Sequence, residues 1–279
     1  MQQSPTVSCI QMVSVSDVEK NLVRVETLVN NSVSRGAKLV VIPENFAAYG
    51  RADIRKIGRE EGGENPPIRS FIQQLAKKYG IWIVAGTIPV CDSDDERPFA
   101  ACWVIDDCGE VAGRYDKIHL FDAQVNDAHG AYRESNSYRP GEKLTVIDTP
   151  LGKLGIAVCY DLRFPEMFRM MRDQGAELIA VPSAFTHVTG MAHWEILCRA
   201  RAIENSCYIL ACNQGGWHDE KRRTWGHSMI VDPWGGILSG IEEGEYSLSA
   251  EIPLHKIAEI RAQLPTQENR RFGSSELSE

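Results

Sequence analysis

Apolar residues fall along this chain in two rhythms, short strand-like runs and longer segments of helical period, punctuated by glycine and proline. Residues 6–13 alternate, Val7, Cys9 and Gln11 against Ser8, Ile10 and Met12, which predicts a strand. Asp17 then caps a helix in which Val18, Leu22, Val25 and Val29 recur at helical spacing, and Gly36 ends it. Leu39-Val40-Val41-Ile42 is a continuous apolar strand that stops at Pro43-Glu44-Asn45. The charged, aperiodic stretch 51–67 predicts a surface loop with a single helical turn. A helix follows over 68–79, with Phe71, Ile72 and Leu75 on one face, and then strands over 81–89 and 99–106. Two strands joined by an acidic turn, without an intervening helix, break a simple βαβ alternation and predict an antiparallel, layered arrangement.

The second half repeats these rhythms. Residues 111–118 form a strand that runs out at Lys117, and 121–143 is a long irregular region of the kind that often carries function. A hairpin is expected from 144–148 and 153–159; its second arm, Gly155-Ile156-Ala157-Val158, leads into Cys159. Pro165 and Glu166 suit the first turn of a helix, which leaves Cys159 on a strand-to-helix turn where backbone N–H groups can stabilise an anion. Another buried strand, 178–181, ends in Pro182-Ser183-Ala184-Phe185. Residues 191–205 form the clearest helix, with Ile196, Ala200 and Ile203 as its apolar face; the commoner role of its Trp194 is core, the rarer a partner surface. Strands at 208–212, 228–232 and 246–252, a basic triplet Lys221-Arg222-Arg223 in a loop, and a helix at 254–264 complete the pattern. Length and pattern predict one domain over 1–265 and a polar tail, 266–279, that reaches toward another subunit.

Composition narrows the partners. A net charge of -8 and a pI near 5.5 argue against nucleic acid or an acidic membrane surface, and no run of apolar residues is long enough to span a bilayer, so a small molecule is the expected partner. No signal-like segment opens the chain, and eight scattered cysteines without a Cys-x-x-Cys pair fit reduced thiols in a cytoplasm. The seven histidines show no zinc-ligand spacing, so no metal is expected.

Glu44, Lys117 and Cys159 each stand where a predicted strand ends, and strands of a layered fold can gather their ends at one rim. Taken singly, each has an ordinary reading: a loop carboxylate, an edge lysine, a small apolar residue closing a strand. Taken together they form a chemical set. A carboxylate can take the thiol's proton, and an ammonium can lower the thiol pKa and stabilise an oxyanion, which suits acyl transfer from an amide.

The blocks Pro43-Glu44-Asn45, Tyr115-Asp116-Lys117-Ile118-His119-Leu120 and Gly155 through Cys159-Tyr160-Asp161-Leu162-Arg163-Phe164-Pro165-Glu166 resemble, in order, the three signatures of the nitrilase superfamily, the carbon-nitrogen hydrolases. The resemblance implies an α/β fold of four layers, an α-β-β-α sandwich. It also implies Glu44 as general base, Lys117 as oxyanion stabiliser, Cys159 as nucleophile, Glu134 as a second glutamate that positions the lysine, and the Tyr160 backbone N–H as an oxyanion donor, with no cofactor. Further stretches, among them Arg133-Glu134-Ser135-Asn136-Ser137, Arg199-Ala200-Arg201-Ala202-Ile203-Glu204 and Gly226-His227-Ser228-Met229, are similar to the Nit branch. This implies an amidase for a small carboxylate-bearing substrate of deaminated glutathione type, giving acid and ammonia. The alternative is an ω-amidase for α-ketoglutaramate or a related monoamide. A homodimer joined through helices near Cys159 and Trp194 is implied as well.

Arg133 and Arg163, with the basic triplet, are candidates to hold the substrate's carboxylate; Arg163 could equally pair with Asp161 or Glu166. Tyr49, Ser183, Phe185 and Thr186 complete the candidate pocket. The rival readings are a silent binding module and a cysteine protease pairing Cys159 with His119.

Overall fold

The computed structural model describes residues 4–50, 52–92, 97–127 and 130–272. Its strands in chain order are β1 (Thr6–Gln11), β2 (Ala37–Ile42), β3 (Trp82–Val90), β4 (Phe99–Ile105), β5 (Val111–Asp116), β6 (Asp122–Gln124), β7 (Ala131–Arg133), β8 (Val146–Thr149), β9 (Gly152–Ile156), β10 (Leu178–Ser183), β11 (Tyr208–Asn213), β12 (Gly215–Trp217), β13 (Arg223–Trp225), β14 (Met229–Val231), β15 (Ile237–Gly240) and β16 (Tyr246–Glu251). The helices are α1 (Val18–Ser34), α2 (Ile54–Gly62), α3 (Pro67–Tyr79), α4 (Pro165–Asp173), α5 (His187–Asn205) and α6 (His255–Gln263).

Twelve strands make two six-stranded sheets, ordered β16-β1-β2-β3-β4-β5 and β8-β9-β10-β11-β14-β15. Each sheet runs antiparallel, parallel, parallel, antiparallel, antiparallel across its five pairings. The alternation in β1 explains how they stack. Val7 and Cys9 join the core shared with Ile156, Ala180 and Ala211 of the second sheet, whereas Ile10 and Met12 join a separate cluster with Val25 and Val29 of α1 and Ile72 and Leu75 of α3. On the second sheet Phe168 and Met171 of α4, and Trp194, Cys198 and Ala202 of α5, close the outer face. The result is the four-layer α-β-β-α sandwich that the signature blocks imply, with the strand ends available to form a site.

Four local readings change. The stretch 51–67 contains a real helix, α2, whose first turn is capped by the Asp53 side chain accepting from Lys56 N at 3.0 Å. It reads as aperiodic because its buried stripe is Ile57, Gly58 and Glu61, with a single large apolar side chain. The Glu61 carboxylate is buried in order to accept from the Ile68 and Arg69 amides at the start of α3 (2.6 and 3.1 Å). In α5 the face of Ile196 and Ile203 is the solvent face, 69% and 51% exposed, and the buried face is Trp194, Cys198, Ala202 and Asn205. Trp194 donates from Nε1 to the His227 carbonyl at 2.7 Å, so its role is core. The loop 215–225 is a hairpin, β12 with β13, and β15 adds a strand between the expected strands 228–232 and 246–252. As far as Phe272 the tail returns to its own chain, with Arg270 paired to Asp173 of α4 at 3.2 Å. The acidic turn at 93–96 lies outside the described residues.

Candidate active site

Glu44 follows β2 through Pro43, and two features fix it. Gly86 of β3 lies so close that a Cβ there would stand 2.2 Å from the Pro43 carbonyl, so only glycine admits this approach. A register shift between Ala85 and Ile88 turns Thr87 toward Asn45, whose N–H donates to Thr87 Oγ1 at 3.0 Å while its own backbone is left-handed at φ 57°. The Glu44 carbonyl accepts from Gln214 Nε2 at 3.0 Å, which ties the turn to the end of β11. Its carboxylate is thus presented at a rigid rim, 3% exposed.

Lys117 leaves β5 in the same way. Its N–H donates to Ala100 O at 3.1 Å, and its carbonyl accepts from Gly141 N at 2.8 Å, where a Cβ on Gly141 would lie 2.1 Å from Asp116 O. The ammonium is 1% exposed and donates to Glu44 Oε1 at 2.7 Å and to Glu134 Oε1 and Oε2 at 2.9 and 2.8 Å. Glu134 sits on the 3₁₀ turn Glu134–Asn136 and accepts in addition from Phe121 N at 2.6 Å. Burial opposes the lysine charge, but Glu134, Glu44 and Cys159 outweigh it and hold the ammonium well above the ordinary lysine value. Burial raises the Glu44 carboxyl; the Lys117 charge pulls it down and Glu134 pushes it up, and the net shift is upward.

Cys159 opens the 3₁₀ turn Cys159–Arg163 with φ 49°, a left-handed conformation that throws its side chain off the line of β9. Asp161 holds this turn. Fully buried, it accepts from Val158 N (2.8 Å) and Tyr115 OH (2.7 Å) on one oxygen, and from His119 N (3.0 Å) with His119 Nδ1 at 2.7 Å on the other. The turn carrying the thiol is thereby locked to the segment carrying Lys117. The Cys159 thiol shares one stretch of wall with Glu44, Lys117 and Ala184. Burial, then the Glu44 charge, push the thiol well above its usual pKa against the pull of Lys117, so the resting thiol is neutral.

These groups line one cavity of about 370 Å³ with Asn45, Ala48, Tyr49, Phe121, Tyr132, Arg133, Tyr138, Thr186 and Arg222, a size for a small molecule. His119 is not in its wall. Its ring stacks on Phe164 at 3.6 Å and faces Asp161, so the Cys-His pairing is not made. Among the described residues, one group of metal-ligating side chains is closely spaced, Asp106, Asp107 and Cys108, on a turn away from the cavity.

The sequence matches the carbon-nitrogen hydrolase family over residues 6–262. The chain belongs to that family. It is 43% identical over 274 residues to a deaminated glutathione amidase of Yersinia enterocolitica, across 98% of this chain and 95% of that protein. It is similar in structure to Nit3 of Saccharomyces cerevisiae, a member of branch 10 of the nitrilase superfamily, with TM-score 0.86, 33% identity and 97% of both chains covered. It is also similar to an amidase from Nesterenkonia sp. AN1, with TM-score 0.77 and 25% identity over 95% of this chain and 99% of that one; a mutant of that protein shows Michael addition of acrylamide at its active-site cysteine.

In this carbon-nitrogen hydrolase the remaining candidates divide. Tyr49, Arg133 and Thr186 line the cavity. Ser183 does not, because it is fully buried and donates to Val181 O at 3.1 Å. Phe185 and Arg163 border only a small neighbouring space beside Cys159 and Tyr160. Phe185 packs on Trp194 at 4.9 Å, and Arg163 lies over the Phe185 ring with His193 at 3.3 Å, paired with neither Asp161 nor Glu166. Of the basic triplet, Arg222 faces the cavity, whereas Arg223 is drawn to Glu243 and Trp217. Sequence reading passed over Tyr132, Tyr138 and Asp161; the first two flank Glu134 in the irregular region, and the third lies two residues after Cys159.

Proposed function

We propose that this carbon-nitrogen hydrolase is an amidase acting on a small carboxylate-bearing amide of deaminated glutathione type, through a thioester on Cys159. The observation that carries the reading is one cavity, lined by Cys159, in which Lys117 bonds both Glu44 and Glu134. The identity with a deaminated glutathione amidase and the acrylamide adduct of a related amidase support it.

In this mechanism Glu44 takes the thiol proton as sulfur attacks the amide carbon. The oxyanion is held by Lys117, which redirects one of its two bonds from Glu134, and by the Tyr160 N–H. The C–N bond then breaks, and Glu44 returns its proton to the leaving nitrogen, so an amine departs, or ammonia from a primary amide. Water enters, gives its proton to Glu44 and attacks the thioester; the C–S bond breaks, the acid leaves, and the proton on Glu44 restores the thiol. The net reaction is amide plus water to acid plus amine, without a cofactor. Glu134 serves as the residue that holds Lys117.

Assay of ammonia from α-ketoglutaramate alongside amine release from deaminated glutathione tests the substrate. A higher kcat/KM on the latter supports the reading; turnover of α-ketoglutaramate alone favours the ω-amidase alternative. The expected second copy of this chain would cover the exposed apolar residues Met170, Met191, Ile196, Ile203 and Trp234, which lie on α4, α5 and the turn that packs on Ile203. The eight free thiols suit a cytoplasmic setting, and among the described residues no helix is long and apolar enough to cross a membrane.

A further inference from the structure

The charges on the floor of the cavity are already committed. Lys117 directs its three N–H groups at Glu44 Oε1 and both oxygens of Glu134, so two carboxylates stand against one ammonium and the floor repels a second anion. A substrate with a carboxylate remote from its amide needs a cation elsewhere on the wall. Arg163 is outside the cavity, and Arg133 is exposed at its rim with Nη1 on the Tyr132 carbonyl at 3.0 Å. Arg222 is half-buried and lines the cavity, and among the described residues no carboxylate lies at ion-pair distance from its guanidinium.

The position of Arg222 is built into the β12–β13 hairpin. Asp219 Oδ1 accepts from the Lys221 and Arg222 amides, both at 2.8 Å, and the Arg222 carbonyl accepts from His218 N at 2.9 Å. His218 anchors the hairpin. Its Nδ1 must donate to the Ser14 carbonyl (2.8 Å), so the neutral ring accepts from the Thr224 hydroxyl (2.7 Å) at Nε2. Burial keeps this imidazole neutral by lowering its pKa to about 4. The Tyr49 ring meets His218 edge-on at 4.2 Å and lies 5.8 Å from the Arg222 guanidinium carbon. A guanidinium with no carboxylate at ion-pair distance among the described residues is therefore held over the Tyr49 ring at the wall of the Cys159 cavity.

We propose that Arg222 is the specificity-determining residue that binds the substrate carboxylate remote from the scissile amide. The inference rests on the amidase reading above. A guanidinium fork matches a carboxylate bidentately, and the fixed hairpin reduces the ordering cost of that contact.

The test compares kcat/KM for the monoamide of glutaric acid with that for pentanamide, which lacks the carboxylate, in the full-length enzyme and in Arg222→Met, Arg222→Gln and Arg133→Met. The ratio of the two values is expected to fall at least about tenfold in both Arg222 variants, chiefly through KM, and by less than about threefold in Arg133→Met. Arg222→Gln keeps length and polarity and carries the test if Arg222→Met does not fold. An unchanged ratio in a folded Arg222 variant, or an equal fall in Arg133→Met, overturns the assignment. Turnover of neither amide by the unaltered enzyme, seen before any variant is made, overturns the amidase reading itself.

Discussion

Along the rim of the first sheet, Glu44 after β2 and Lys117 after β5 are charged groups that satisfy one another, with Glu134 completing the set. Along the rim of the second sheet, built on the same succession of strand pairings, the turn after β9 presents one neutral thiol and the turn after β10 brings Ala184 to the same wall. The difference lies in what each half requires to stay folded. Two carboxylates and an ammonium withdrawn from water hold only as a group, whereas a thiol costs little to bury and needs only a strained turn to aim it. One half is a structural and electrostatic unit; the other carries the single atom proposed to react.

The comparison is sharpened first at Cys159. Cys159→Ala is expected to lower kcat on the order of 10⁴-fold or more while changing the unfolding free energy from urea titration by no more than about 1 kcal/mol, since it removes one heavy atom from the turn. Lys117→Met should do both kinds of damage: activity is lost, and about 3–5 kcal/mol of stability goes with it, because the buried Glu44 and the half-buried Glu134 carboxylates lose their cation. Equal stability of the two variants would break the contrast between the halves.

His218, which pins the hairpin to the first sheet, gives a smaller effect with a definite sign. Its folded pKa of about 4 lies below the ordinary 6.5, so the unfolded chain binds more protons between those values. The stabilisation is complete above pH 6.5 and is lost as pH falls toward 4, by about 2 kcal/mol between pH 7 and 5. Denaturant titrations of His218→Asn at those two pH values should show a shallower loss. The smallest expected change is in the rate profile. In the proposed mechanism Glu44 must be ionised to accept the thiol proton, and its raised pKa places the expected acid limb of kcat/KM above 4.5. Glu134→Gln removes one of the charges that raise it, so the limb should move to lower pH; a move to higher pH contradicts the electrostatic account.

Much of this site was legible in sequence because three strand ends carry it. Continuous apolar runs gave Glu44 and Cys159 their places, whereas Glu134 entered only through the resemblance to the nitrilase superfamily. What periodicity could not show was contact across the fold. The face of α5 read from Ile196 and Ile203 is exposed, because the helix buries Trp194 and Cys198 together with polar Arg201 and Asn205, which blur the apolar stripe. Helix α2 was hidden for the same reason, its inward stripe ending in Glu61. Ser183 stood among the pocket candidates, but its hydroxyl turns back to donate to Val181 O. Arg222 stood in a basic triplet with no signal to separate it from its neighbours until the hairpin turned it inward.

The account depends most on Cys159 carrying the acyl group. Intact-mass analysis of the enzyme, acid-quenched during turnover of a small primary amide, measures this directly. The prediction is a mass gain equal to the acyl fragment, mapped by peptide analysis to Cys159 and absent from Cys159→Ala. Steady turnover with no adduct at Cys159, together with full activity in Cys159→Ala, would contradict it.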